Sequence, residues 1–310
     1  MKARPNLFLI GAMKAGTTAL ASWLARSEAV FVPLIKEPNH FSRELIEAGI
    51  ADRMARMLRA EIEDLLASDP HRDIFHAYID EPEHYLALYA DSNSFRYRLD
   101  ASTTYLNSPV AAGLIHDFSP DARVIAITRE PAARAWSEFL MCRKIGLSSS
   151  DWKAALDREW EDICAGRTPL AERYVSTGLY EEHLDRFRRL FGAQLLELDF
   201  DDLVMRADII RDRVSRFLEI EDLPVTIERE NSAVQPRFAR LNTLLHRSGV
   251  KYWLRDNLPS PLGDAIKKAF YSDRAEVMPG EFARIVKARL EQLASKAVPM
   301  PTQWQRQGHG

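Results

Sequence analysis

The stretch Gly11-Ala12-Met13-Lys14-Ala15-Gly16-Thr17-Thr18 places glycines, a lysine and paired hydroxyls within a few residues of one another. Between an apolar strand and an amphipathic helix, such a stretch turns backbone N–H groups and a helix N-terminus toward an anion. The common nucleotide-phosphate loop ends Gly-Lys-Ser/Thr, so that its lysine reaches the β- and γ-phosphates and its hydroxyl meets magnesium. Here Gly16 is followed by Thr17, and the lysine stands earlier, at position 14, inside the loop. An ammonium placed there approaches the atom that bridges a 5′-phosphate to the group it carries. A second segment, Thr128-Arg129-Glu130-Pro131-Ala132-Ala133-Arg134-Ala135-Trp136-Ser137, sets an arginine at a strand end and a serine two turns into the following helix. An arginine fork with a hydroxyl suits a second phosphate. The two segments together point to a nucleotide that carries phosphates at two separate positions.

The elements that must hold these residues are legible in the apolar periodicity. Leu7 to Ile10 is a short continuous apolar run ending at Gly11, and Ala19, Leu20, Trp23 and Leu24 follow at helical spacing, so the order is strand, glycine turn, helix. Val124 to Thr128 is a β-branched run with the character of a buried parallel strand. Pro131 suits the first turn of the helix after it, whose apolar face is Ala135, Trp136, Phe139 and Leu140. Arg96 to Ala101 is a further candidate strand. Tyr180, Leu184, Phe187 and Phe191 mark another helix, with Gly192 placed to cap it before a strand at Leu195 to Phe200. Strands alternating with helices argue for an α/β fold with a central parallel sheet covered on both faces. Residues from about 43 to 95 are expected to be a helical insertion without a clear strand. The first 240 residues are expected to form one domain, with 241–310 as a helical C-terminal extension packed on it.

Composition narrows the function classes. The 42 basic and 45 acidic side chains leave a net charge of −3, which removes the general basic field of a nonspecific nucleic-acid binder and makes any anion site local. The apolar run Leu7 to Met13 falls far short of the ~20 residues of a membrane span, and no cleavage site follows it. Cys142 and Cys164 form neither a disulfide framework nor a metal spacing. A soluble, unexported, cytoplasmic chain is the expectation. Trp152, Trp160 and Tyr174 read as core at helical spacing, stacking on an acceptor ring being their other use.

The two phosphate segments resemble those of the sulfotransferases that use 3′-phosphoadenosine 5′-phosphosulfate (PAPS), particularly the bacterial and carbohydrate branch. Phe8 to Leu20 resembles that family's 5′-phosphosulfate loop and Ile127 to Ser137 its 3′-phosphate motif. Pro33-Leu34-Ile35-Lys36-Glu37-Pro38-Asn39-His40-Phe41 is similar to its Lys-Glu-Pro segment, and Leu99-Asp100-Ala101-Ser102-Thr103-Thr104-Tyr105-Leu106 to its Glu-Lys-Thr/Ser-Pro-x-Tyr stretch. The resemblance spans roughly residues 5 to 240. It implies a P-loop-like three-layer fold and sulfuryl transfer from PAPS to an acceptor hydroxyl or amine, sugar hydroxyls leading, with PAP as product and no metal required. On that resemblance Lys14 is catalytic, and Lys14, Ala15, Gly16, Thr17 and Thr18 hold the 5′-phosphate. Arg129 and Ser137 hold the 3′-phosphate, with Arg237 as a further nucleotide contact from a closing loop. Glu37 is the base, with His40 as its rival and Asp100 as a weaker candidate. Ala101 stands where many relatives have lysine, and Thr104 where they have proline. One alternative is a P-loop kinase or other phosphotransferase, in which Asp199 would hold magnesium, and a second is a noncatalytic partner-binding protein that keeps the loop as a structural relic. The acceptor and the oligomeric state are not encoded in any pattern of the sequence.

Overall fold

The computed structural model describes residues 3–47, 74–144, 148, 151–167, 173–227, 235–236, 271–272 and 276–295. These fall into two compact units, one drawn from Met1–Arg129 and Leu179–Glu228, the other from Glu130–Gly178 and Arg229–Thr302.

In the first unit the apolar run near the start is buried on both faces. Leu7, Phe8 and Leu9 are all fully buried and form β1 (Leu7–Leu9), the signature of a central strand in a parallel sheet. The helix α1 (Thr17–Leu24) follows, then β2 (Val30–Phe31) at the sheet edge. The remaining strands are β5 (Tyr97–Asp100), β6 (Arg123–Thr128) and β7 (Leu195–Asp199). The sheet has five strands in the order β2-β5-β1-β6-β7, and every neighbouring pair is parallel. Leu7 lies opposite both Leu99 and Arg123, which puts β1 at the centre.

The helices α4 (Ala111–Phe118), α7 (Tyr180–Phe191), α8 (Phe200–Met205) and α9 (Ala207–Leu218) belong to this unit with α1. Leu20, Trp23 and Leu24 of α1, Leu184, Phe187 and Phe191 of α7, and Ile210, Val214 and Leu218 of α9 share one core with the sheet. Because parallel crossovers are right-handed, α1, leading toward β2, and α4, leading from β5 to β6, lie on opposite faces. The chain after β1 runs toward one edge and the chain after β6 toward the other, so the two strands flank the switch point of the sheet. Open parallel sheets bind ligands outside the carboxyl ends of such strands. The far end of α1 is tied down by Trp23 Nε1, which donates to the Pro224 carbonyl at 2.9 Å, and by Ser27 Oγ, which donates to Asp222 at 2.7 Å.

The region expected to be wholly helical contains a short strand. After α2 (Arg43–Glu47), β4 (Ile74–His76) pairs in parallel with β3 (Ile35–Glu37), and α3 (Pro82–Ala87) follows. Three-residue strands carry too little alternation to stand out in a sequence. Residues 48–73 lie outside the described residues.

The second unit holds α5 (Pro131–Lys144), α6 (Trp152–Cys164), a two-stranded antiparallel pair, β8 (Gln235–Pro236) with β9 (Tyr271–Ser272), and α10 (Gly280–Ala294). Trp136 of α5 packs edge-on against Phe282 of α10 at 5.0 Å, and Trp152 meets the same ring at 5.6 Å. Tyr174 is fully buried against Phe139, and Arg289 covers the ring of Trp160. These three aromatic residues therefore pack within the unit, as their helical spacing suggests. Of the expected C-terminal extension, only Tyr271, Ser272 and residues 276–295 are described. Among the described residues no helix is long and apolar enough to cross a membrane.

Candidate active site

The glycine loop leaves β1 with its backbone paired to β6. Ala12 N–H donates to the Ile127 carbonyl at 2.5 Å, and Ile127 N–H to that of Gly11 at 2.7 Å. Gly11 has φ 136° and Gly16 has φ 85°, left-handed values that favour glycine. Space enforces the same choice. A Cβ on Gly16 would lie 2.9 Å from Leu203 Cδ2 and 3.0 Å from Phe200 Cδ2, and one on Gly11 would lie 3.0 Å from the Thr103 carbonyl oxygen. Lys14 also adopts a left-handed φ of 68°, and its side chain is half-buried in the loop.

Gly16 is the N-cap of α1, no side chain caps that helix, and its first turn holds no acidic residue. The amides at the start of a helix have no partner inside it. With the positive end of the helix dipole, these amides at Thr17 and Thr18 can receive an anion. The Ala15 amide is bonded within the loop to the Ala12 carbonyl at 3.1 Å. Arg129, just past β6, reaches across to the same loop, its Nη1 donating to the Lys14 carbonyl at 3.1 Å. Its guanidinium lies 4.5 Å over the ring of Phe200, a favourable placement for a cation. Phe200 thus supports both halves of the site, touching Gly16 on one side and Arg129 on the other. The sequence marks it only as the last residue of the expected strand, whereas in the structure the strand ends at Asp199 and Phe200 opens α8. Ser137 lies on α5 in the second unit, and Arg237 lies outside the described residues.

On the other side of the loop, β3 presents Glu37. The carboxylate is buried, with Oε1 2.8 Å from Lys36 Nζ and Oε2 accepting from Thr103 Oγ1 at 3.1 Å. Thr103 is also the residue whose carbonyl abuts Gly11, so the structure brings Glu37 beside the glycine loop. Lys36 and Thr103 had no role assigned from sequence, although both lie in segments singled out there. His40 sits differently. Its ring stacks on Tyr85 at 4.2 Å with 9° between planes and meets Phe41 edge-on, while Nδ1 bonds the Ile79 carbonyl at 2.7 Å. Burial lowers its pKa, partly opposed by that hydrogen bond.

Asp100 ends β5 with no exposed surface. Its carboxylate accepts from Tyr85 Oη at 2.7 Å, Tyr105 Oη at 2.8 Å, Ser102 N–H at 3.0 Å and Ser102 Oγ at 2.6 Å. Burial pushes its pKa up to about 6, and the hydrogen bonds from Ser102 and the tyrosines work in the opposite direction. Asp199, the residue a kinase would need for magnesium, caps α8 by accepting from Asp201 N–H at 2.7 Å.

A family model described as the sulfotransferase family matches residues 5–224. The bifunctional heparan sulfate N-deacetylase/N-sulfotransferase 1 of Caenorhabditis elegans is 22% identical over 228 residues, which cover 72% of this chain and 23% of that protein. Carbohydrate sulfotransferase 15 of Mus musculus is 26% identical over 166 residues, covering 49% of this chain and 30% of the other. The chain therefore spans less than a third of the length of these curated relatives. Among solved structures, a sulfotransferase from Alicyclobacillus acidocaldarius superposes with a TM-score of 0.57 at 24% identity, over 74% of this chain and 88% of that one.

Proposed function

The chain belongs to the sulfotransferase family, and we propose that it transfers the sulfuryl group of PAPS to a carbohydrate hydroxyl, with Glu37 as the base. The observation that carries this reading is the hydrogen bond from Arg129 to the Lys14 carbonyl, which joins two cationic segments beside an uncapped helix N-terminus at the switch point of the sheet. PAPS differs from ATP in its 3′-phosphate, and a site with two separate anion-binding segments matches that difference. The amides and hydroxyls of Thr17 and Thr18 hold the 5′-phosphate. Arg129 takes the 3′-phosphate. Lys14 stabilises charge on the oxygen that bridges phosphorus to sulfur.

Sulfuryl transfer, like phosphoryl transfer, relies on in-line positioning and on stabilising the leaving group. Glu37 accepts the proton of the acceptor hydroxyl as that oxygen bonds to sulfur, and the bond from sulfur to the bridging oxygen breaks to release PAP. Lys36 and Thr103 hold the carboxylate for that role through donors on both oxygens. Glu37 is preferred over His40 because the Nδ1 bond and aromatic stacking fix the imidazole in a structural setting. A carbohydrate acceptor draws support from the names of the two curated relatives; the first is an N-sulfotransferase, so the choice of a hydroxyl rests on the sequence resemblance.

Calorimetric titration with adenosine 3′,5′-bisphosphate, and separately with ADP and magnesium, tests the nucleotide. The bisphosphate is expected to bind in preference, and Arg129→Ala to weaken it by at least about tenfold, the scale of a lost charge-assisted hydrogen bond. A preference for ADP with magnesium would replace this reading by the kinase. Turnover of radiolabelled PAPS with desulfated heparan and chondroitin chains tests the base. Glu37→Gln should retain bisphosphate binding and lose roughly 10²–10⁴-fold in rate.

A further inference from the structure

We infer that Asp100 is a positioning residue for Glu37, acting through Ser102, Asn39 and Thr103. The inference rests on the reading of Glu37 as the base. An ionised carboxylate only accepts hydrogen bonds, so each of its partners must donate to it. Asp100 has four such donors: both tyrosine hydroxyls and the amide and hydroxyl of Ser102. With its proton directed at Asp100, Ser102 Oγ has its lone pairs left to accept, and it takes the Asn39 N–H at 2.9 Å. The direction of this chain is set by the carboxylate at its end.

Asn39 is where the loop carrying Glu37 turns. It has a left-handed φ of 52°, and its Nδ2 donates to the Glu37 carbonyl at 2.8 Å and to the Ala77 carbonyl at 2.9 Å. Its Oδ1 accepts from Thr104 Oγ1 at 2.6 Å. The segment Ser102-Thr103-Thr104 therefore grips the turn from both ends, and its middle residue donates to Glu37 Oε2. Both the backbone and the carboxylate of Glu37 are placed by a turn anchored on Asp100. Among the described residues, Lys36 lies beside Glu37, and Tyr85, Tyr89 and Tyr105 lie around Asp100.

The readout is the ionisation of Glu37 itself, followed by ¹³C NMR on full-length protein labelled at glutamate Cδ and assigned with Glu37→Gln. Thr103→Val removes one donor from the charged carboxylate, which raises the Glu37 midpoint, by roughly half a unit or more. Ser102→Ala and Asp100→Leu leave Thr103 in place but cut its support, and each is expected to reproduce at least half of that rise. Asp100→Asn keeps an acceptor oxygen for Ser102, and the tyrosine hydroxyls can turn to accept, so it should move the midpoint least. A Ser102→Ala midpoint equal to wild type overturns the inference even if Asp100→Leu fails to fold, as does a Thr103→Val midpoint equal to wild type. A purely structural role would lower the melting temperature and leave the Glu37 midpoint alone. This readout needs no nucleotide or acceptor, so failure of bisphosphate binding would sink the PAPS reading separately.

Discussion

Gly16→Ala is expected to lower the melting temperature of the unit that carries the phosphate loop by roughly 5–20 °C. Two costs add. An L-residue at a φ of 85° loses about 1–2 kcal/mol against its preferred conformations. The new Cβ would also lie 2.9 Å from Leu203 Cδ2 and 3.0 Å from Phe200 Cδ2. The leucine methyl can rotate away, but the phenylalanine ring is held under Arg129, whose guanidinium lies 4.5 Å above it. Overpacking of this kind costs about 1–3 kcal/mol. The total of roughly 2–5 kcal/mol corresponds to the stated shift, at about 2–4 °C per kcal/mol for ~150–250 residues. Scanning calorimetry of full-length protein provides the assay, with Gly113→Ala as control. Gly113 lies inside α4, and a Cβ there meets nothing within 4 Å, so alanine should raise stability by about 0.5–1 kcal/mol. Under the proposed function, adenosine 3′,5′-bisphosphate should also protect wild type more than Gly16→Ala, because a displaced Phe200 carries Arg129 with it. A Gly16→Ala melting temperature matching wild type would refute the close packing of Phe200 against the loop.

Two further outcomes concern the second unit. Arg134 is fully buried, pairs with Glu138 and donates to the Tyr174 carbonyl. Arg134→Ala leaves a buried carboxylate without this cation and should cost about 3–5 kcal/mol, whereas Arg134→Met with Glu138→Leu should recover more than half of that loss in thermal melts. Glu159 accepts from the Val175 and Ser176 amides and from Ser176 Oγ, yet burial pushes its pKa up from 4.5 to about 7. A raised carboxyl pKa means that the folded state binds the proton more tightly. Its contribution is therefore complete below pH 4.5 and is lost as pH rises through about 7. Melting temperatures at pH 5 and pH 8 should show this loss, of roughly 3 kcal/mol, and Glu159→Gln should flatten it. An equal slope in the variant would remove Glu159 as the cause.

The glycine-loop side of the candidate site was readable in sequence as an arrangement because its determinants are local. Gly11, Lys14 and Gly16 occupy one loop whose chemistry follows from residue type, and Arg129 follows the longest β-branched run, so strand ends alone predict where both face. The parallel sheet followed from the same alternation of strands and helices, although β3 and β4 were too short to register. Phe200 was invisible because its importance lies in what it touches, Gly16 and Arg129, which are far from it in the chain.

The base side was legible only as residue types without an arrangement. Resemblance singled out Glu37 and left His40 as its rival, and no spacing rule could tell which imidazole or carboxylate would face the loop. The structure separates them through hydrogen bonds that cross more than sixty positions, from Thr103 to Glu37 and from Asn39 to Ser102. Asp100 shows why such a role escapes sequence reading. A carboxylate in an otherwise apolar strand end looks like a candidate for chemistry, yet with all four donors in place it has little capacity left for a substrate. Its burial makes it costly to ionise and costly to leave unbonded, and both costs hold the Ser102 turn in one geometry. Under the proposed function, the rigidity that Glu37 needs as a base is supplied by a residue that itself need never touch the acceptor.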